Sequence, residues 1–140
     1  MRFMVIMYPG PDAEAGKLPD EKILTEMGKF NEELVKAGVL LAGEGLHPTS
    51  KGARIRFGSG KPVVSDGPFT ESKEIIGGFW LMQAKSKDEI VQWMKRCPVV
   101  GSEMIEIRQV FEAEDFGEAM TPELREAEER LRREVEAKRG

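Results

Sequence analysis

His47 is the only histidine in a chain of 140 residues. An imidazole with an ordinary pKa of about 6.5 suits proton transfer near neutral pH. It lies in Gly45-Leu46-His47-Pro48, where the competing reading is an exposed loop histidine beside a proline. Asp66 opens the run Asp66-Gly67-Pro68-Phe69. Asp bonds its own turn backbone, Gly tolerates positive φ and Pro fixes φ, so the run reads as a stiff turn anchored by Phe69. The same stiffness would hold the carboxylate at a sheet edge. There it could fix the tautomer of a neighbouring imidazole and stabilise its charged form. On chemistry alone the two readings of Asp66 are equal.

Glu44 stands between two glycines at the end of an apolar segment. It is either a partly buried carboxylate with an altered pKa or a solvated one. Glu71 and Lys73 place an acid and an ammonium just before a long apolar run. They read as substrate contacts or as an ordinary surface connection. His47 with Asp66 and Glu44 or Glu71 would make a mixed donor set for a metal, although one histidine excludes a multi-His site within the chain; none is expected. Arg54 and Arg56 share a strand face, as an anion site or as the polar side of an edge strand. The sequence carries no phosphate-cradling Gly loop, nucleophile elbow or dinucleotide fingerprint, so no cofactor is expected.

These residues need elements to position them. Arg2–Tyr8 reads as a strand apolar on both faces, stopped by Pro9-Gly10-Pro11. Pro9–Pro19 reads as a turn-rich loop. A helix follows, with Asp20 as N-cap, Ile23, Met27, Phe30 and Leu34 at helical spacing, and Gly38 as its C′ stop. Gly28 inside it suggests a close approach to the sheet. Val39–Ala42 is a short strand. Ala53–Phe57 alternates, which predicts Ala53, Ile55 and Phe57 inward and the arginines outward. Pro62–Ser65 returns from a Gly58-Ser59-Gly60 turn. Ile75–Ala84 is a long strand, again apolar on both faces, with Gly77-Gly78 marking a bend or a close backbone approach. Ser86 and Glu89 form a capping box for a second helix that Pro98 ends. Met104–Phe111 is the last core strand. A charged tail helix runs from Thr121 to about Lys138, with a thin apolar stripe of Leu124, Ala127, Leu131 and Val135.

The order β-α-β-β-β-β-α-β predicts an α+β fold, a ferredoxin-like antiparallel sheet with two helices on one face. Two strands apolar on both faces leave the other side of that sheet bare. A second copy packed sheet against sheet is the simplest cover, so a homodimer is expected. The net charge of −4, from 21 Lys and Arg against 25 Asp and Glu, argues against a nucleic-acid surface. No apolar run reaches the ~18 residues of a membrane span. Cys97 is the single cysteine, which fits a reducing, cytoplasmic setting. No charged-then-apolar leader precedes the first strand, so no signal peptide is expected.

Asp66-Gly67-Pro68-Phe69 followed by Thr70-Glu71-Ser72-Lys73-Glu74, then Ile76-Gly77-Gly78-Phe79, resembles the signature of the DGPF-type branch of the YCII-related proteins. The opening MRFMVIMY, the Gly45–Pro48 run and Pro98 fit the same branch. The resemblance implies a ferredoxin-like domain over residues 1–112 that dimerises into an α/β barrel, with residues 113–140 as a C-terminal helical extension. It also implies a candidate His–Asp pair in a cleft, carried by His47 and Asp66, and hence a small-molecule enzyme working by acid–base chemistry. The alternative it implies is a non-catalytic ligand-binding or regulatory module, linked to sigma factors of the extracytoplasmic-function class.

Overall fold

The computed structural model describes residues 1–70, 74–99 and 104–139. It divides into two compact units, residues 1–109 and 110–140. The first contains β1 (Arg2–Met7), a one-turn helix α1 (Pro11–Glu14), α2 (Glu21–Lys36), β2 (Leu40–Gly45), β3 (Ala53–Arg56), β4 (Val63–Asp66), β5 (Gly78–Gln83), α3 (Lys87–Met94) and β6 (Ile105–Gln109).

β2, β5, β1 and β6 form one antiparallel sheet in that order. The register places Phe3 opposite Met82 and Val5 opposite Trp80, so these side chains share a face. They meet Phe30 and Leu34 of α2 and Ile90 and Met94 of α3 in a single buried core. Both helices therefore lie on one side, as the element order predicts. The opposite face carries Met4, Ile6, Phe79 and Leu81 at its centre, with Glu106 and Arg108 beside them.

The helix ends follow from local chemistry. The Asp20 carboxylate accepts the Ile23 N–H at 2.8 Å, satisfying one of the orphan donors of α2. Gly38 takes φ +73° just beyond the helix, a conformation that disfavours any side chain. Ser86 accepts the Glu89 N–H at 3.2 Å. The Glu89 carboxylate reaches back one residue further than a capping box requires, to the Lys85 N–H.

β3 and β4 form a hairpin separate from the main sheet, and three expectations change. The predicted inward set of β3 is consequently outward: Ile55 is 56% and Phe57 81% exposed, whereas Arg54 is half-buried. The Arg54 guanidinium covers the Phe69 ring at 3.9 Å and pairs with Glu74 at 3.6 Å, so the turn aromatic, not the strand apolars, decides which face is covered. Gly28 approaches nothing; a Cβ there would meet open space. Part of the Pro9–Pro19 loop is helical, with Pro11 at the first helical position.

The second unit holds a helical turn (Ala113–Ala119) and α4 (Pro122–Arg139). Within it Phe111 stacks on Phe116 with ring centroids 5.0 Å apart. Arg125 bonds Glu114 at 3.1 Å, and this guanidinium, after the backbone N–H of Glu114 itself, holds the Glu114 carboxyl below the usual range. In α4, Glu128–Arg132 (2.9 Å) and Arg130–Glu134 (3.9 Å) pair across one turn.

Candidate active site

The end of β1, the entry to β5 and the chain leaving β2 converge on Gly77. Its N–H donates to the Met7 carbonyl at 2.7 Å, and its own carbonyl accepts the Leu46 N–H at 3.0 Å. A Cβ on Gly77 would stand 3.0 Å from Pro9 Cβ and 3.2 Å from Pro9 N; one on Gly78 would stand 3.0 Å from the Glu44 carbonyl oxygen. Close backbone approach is thus the reason for this glycine pair. It also fixes where His47 goes, because His47 follows the Leu46 that Gly77 holds.

His47 is exposed at the mouth of a cleft of about 100 Å³. Met7, Pro9 and Ile76 form apolar parts of its wall, and Glu14 supplies a carboxylate. The Glu14 Oε1 accepts both the backbone N–H of Thr49, at 2.9 Å, and the Thr49 hydroxyl. The Thr49 Oγ1 in turn accepts the Phe69 N–H at 2.9 Å, and the Gly67 N–H donates to the Gly52 carbonyl at 3.0 Å. The segment carrying His47 is therefore tied on one side to α1 and on the other to the Asp66–Phe69 turn. The Gly67–Pro68 peptide is cis.

Asp66 ends β4, exposed and opposite Ala53 in the hairpin. It does not line the His47 cleft, and among the described residues no hydrogen bond links it to His47. Glu44 lies in β2 and borders a second, larger cavity of about 280 Å³ between α2 and the sheet. The two cavities share Met7 and Gly77. Glu71 and Lys73 fall outside the described residues. The structure thus brings His47 and Glu14 to one cleft, with Glu44 at the neighbouring one.

Sequence reasoning missed Glu14 and Thr49. The available signal for Glu14 was Pro11 followed by Asp12-Ala13-Glu14, the composition of a first helical turn. Thr49 carried no comparable signal, since its two partners here, Phe69 and Glu14, lie 20 and 35 residues away.

The chain is similar to an uncharacterised protein and, more remotely, to a solved structure. An uncharacterised protein of Rhizobium meliloti (strain 1021) is 34% identical over 97 residues, covering 68% of this chain and 78% of its own length. Among solved structures, 5-chloro-2-hydroxyhydroquinone dehydrochlorinase (TftG) from Burkholderia phenoliruptrix AC1100, in complex with 2,5-dihydroxybenzoquinone, aligns with a TM-score of 0.42. It is 16% identical, over 79% of this chain and 94% of that one. The model of the YCII-related domain matches residues 1–114, and with that match the chain belongs to the YCII-related family.

Proposed function

We propose that this protein is a small-molecule enzyme that works by proton transfer at His47. The observation carrying the proposal is that the chain's one imidazole and the Glu14 carboxylate line the same partly apolar cleft. His47 takes or gives the proton. Asp66 makes no direct contact with the cleft; its turn, tied through Thr49 and Gly52 to the His47 segment, acts on the imidazole only by positioning that segment. Glu14, held by Thr49, presents a fixed carboxylate to the substrate. Glu44, Glu71 and Lys73 are the further substrate contacts in this reading.

The test needs no known substrate. A set of carbonyl compounds is incubated with the protein in D2O, and exchange at the carbon next to the carbonyl is followed by NMR. General acid–base groups contribute about 10²–10⁴-fold, so His47→Gln should lose at least two orders of magnitude of exchange. Asp66→Asn should lose less. Exchange by His47→Gln at the wild-type rate would exclude the imidazole as the proton carrier.

A homodimer is part of the same proposal. Met4, Ile6, Phe79 and Leu81 form an apolar centre on the sheet face that neither α2 nor α3 covers. A second copy related by a twofold axis would bury it.

A second reading, a binding or regulatory module, is favoured by the second unit. Helix α4 exposes Leu124, Leu131 and Val135 along one stripe, the pattern of a helix that lies in a partner's groove. Partner capture that survives deletion of residues 121–140 would remove its support.

A further inference from the structure

The geometry points to a neutral, mainly apolar substrate carrying an oxygen acceptor, whose body fills the cavity between α2 and the sheet beside His47. This rests on reading the His47 cleft as the site and names what that site would take.

The larger cavity shares Met7 and Gly77 with the His47 cleft, so a molecule seated in one borders the other. At about 280 Å³ it is near the lower end of ordinary ligand pockets. Met7, Met27 and Leu40 form its apolar wall and pack outward from the core. Among the described residues no Lys or Arg lines it, and the one charged residue that does is Glu44. An anion would meet the Glu44 carboxylate and, among the described residues, no counter-charge.

Its polar recognition is set by one hydrogen bond. Trp80 Nε1 donates to Asn31 Oδ1 at 2.9 Å. An indole N–H is a donor only, so it fixes which way the Asn31 amide faces. The oxygen is held toward Trp80, which leaves the NH2 as the donor that Asn31, a lining residue, can offer the cavity. A carbonyl or ether oxygen satisfies that donor.

Gly45 is the third observation. It lines the cavity, its φ lies outside the left-handed region, and a Cβ there would meet nothing within 4 Å. Neither backbone conformation nor packing demands glycine at this position, unlike at Gly77 and Gly78. The missing side chain keeps the cavity open. Gly45 therefore sets the size of substrate that the cavity admits.

The experiment follows the Trp80 indole N–H resonance, assigned against Trp93→Phe, during titration with cyclohexanone, methylcyclohexane and cyclohexanecarboxylate. The expected result is a saturable shift with cyclohexanone and binding at least roughly tenfold weaker for the carboxylate. Asn31→Asp keeps the acceptor for Trp80 and removes the donor, so the ketone's advantage over the hydrocarbon should shrink by about 3–10-fold. Gly45→Val should weaken ketone binding roughly tenfold or more, and Gly45→Ala by less, with thermal unfolding of both near wild type. Equal or tighter binding of the carboxylate would overturn the proposal. So would no saturable shift with the ketone, or wild-type binding by both Gly45 variants. Binding is read here without turnover, so loss of proton exchange with this selectivity intact would count against the acid–base reading alone.

Discussion

Glu14 and Thr49 are joined twice through one carboxylate oxygen, which accepts the Thr49 backbone N–H and the Thr49 hydroxyl. The hydroxyl oxygen also accepts the Phe69 N–H. One threonine therefore couples α1, the segment after His47 and the Asp66–Phe69 turn. Thr49→Val keeps the shape and removes the hydroxyl's two links. It should lower stability by about 1–2 kcal/mol, while Thr49→Ser, which preserves both, should stay near wild type. Urea denaturation midpoints distinguish them. Equal midpoints for Val and wild type would mean that the hydroxyl couples nothing.

Two glycines should respond in opposite directions to the same substitution. A Cβ on Gly67 would land 1.7 Å from the Thr49 carbonyl oxygen and 2.6 Å from its carbon, both backbone atoms. Gly67→Ala must push the turn off the Thr49 segment, a cost of about 1–3 kcal/mol by comparison with overpacked cores. Gly28 is exposed in the middle of α2 with open space where its Cβ would be. Gly28→Ala should stabilise by up to about 1 kcal/mol. Calorimetry on the pair checks both signs, and a destabilised Gly28→Ala would point to a contact that the helix surface does not show.

These cases mark what was legible in the sequence. The limits of α2 were, because Asp20 and Gly38 act on backbone groups within three or four residues of themselves. The two-sided apolar character of β1 and β5 was too, and the element order gave the single helical layer. The orientation of β3 was not. Alternation assigns two faces to a strand but not which is covered, and here Phe69, thirteen residues after Arg56, covers the Arg54 side. At the candidate site, His47 stood out by its uniqueness and the Gly77-Gly78 pair by its position inside an apolar run. Glu14 was hidden because its role comes from a long-range bond to Thr49, and Asn31 because only the Trp80 indole reveals its orientation.

The sheet face away from α2 and α3 gives a prediction about assembly. Ile6 stands opposite Phe79 and Met4 opposite Leu81, with Ala42 across from Leu81 on the other side. Leu81→Glu would place a carboxylate at the centre of the sheet-to-sheet contact. Burying one there without a partner costs several kcal/mol per copy, so the variant should be a monomer. Light scattering at micromolar concentration should give twice the chain mass for wild type and the single mass for the variant. A monomeric wild-type protein would refute the homodimer.

Cys97 gives the chain a measurable response to alkali. It is a free thiol, 8% exposed at the edge of the core, and burial pushes its pKa up to about 11. The folded state therefore holds this proton at pH values where the unfolded chain, with an ordinary thiol near pKa ~8.5, has given it up. Where the unfolded state binds fewer protons, stability falls as pH rises. The Cys97 contribution to stability should accordingly be complete below pH ~8.5 and decline toward pH 11. Cys97→Ala removes that share of the slope, so the stability difference between wild type and variant should change with pH in this window and be flat below it. Alkylation reports the same shift kinetically: at pH 8 the native thiol should react with iodoacetamide roughly two orders of magnitude more slowly than in urea, because only the thiolate attacks. Equal rates in the two states would show that the thiol is not shielded by the fold.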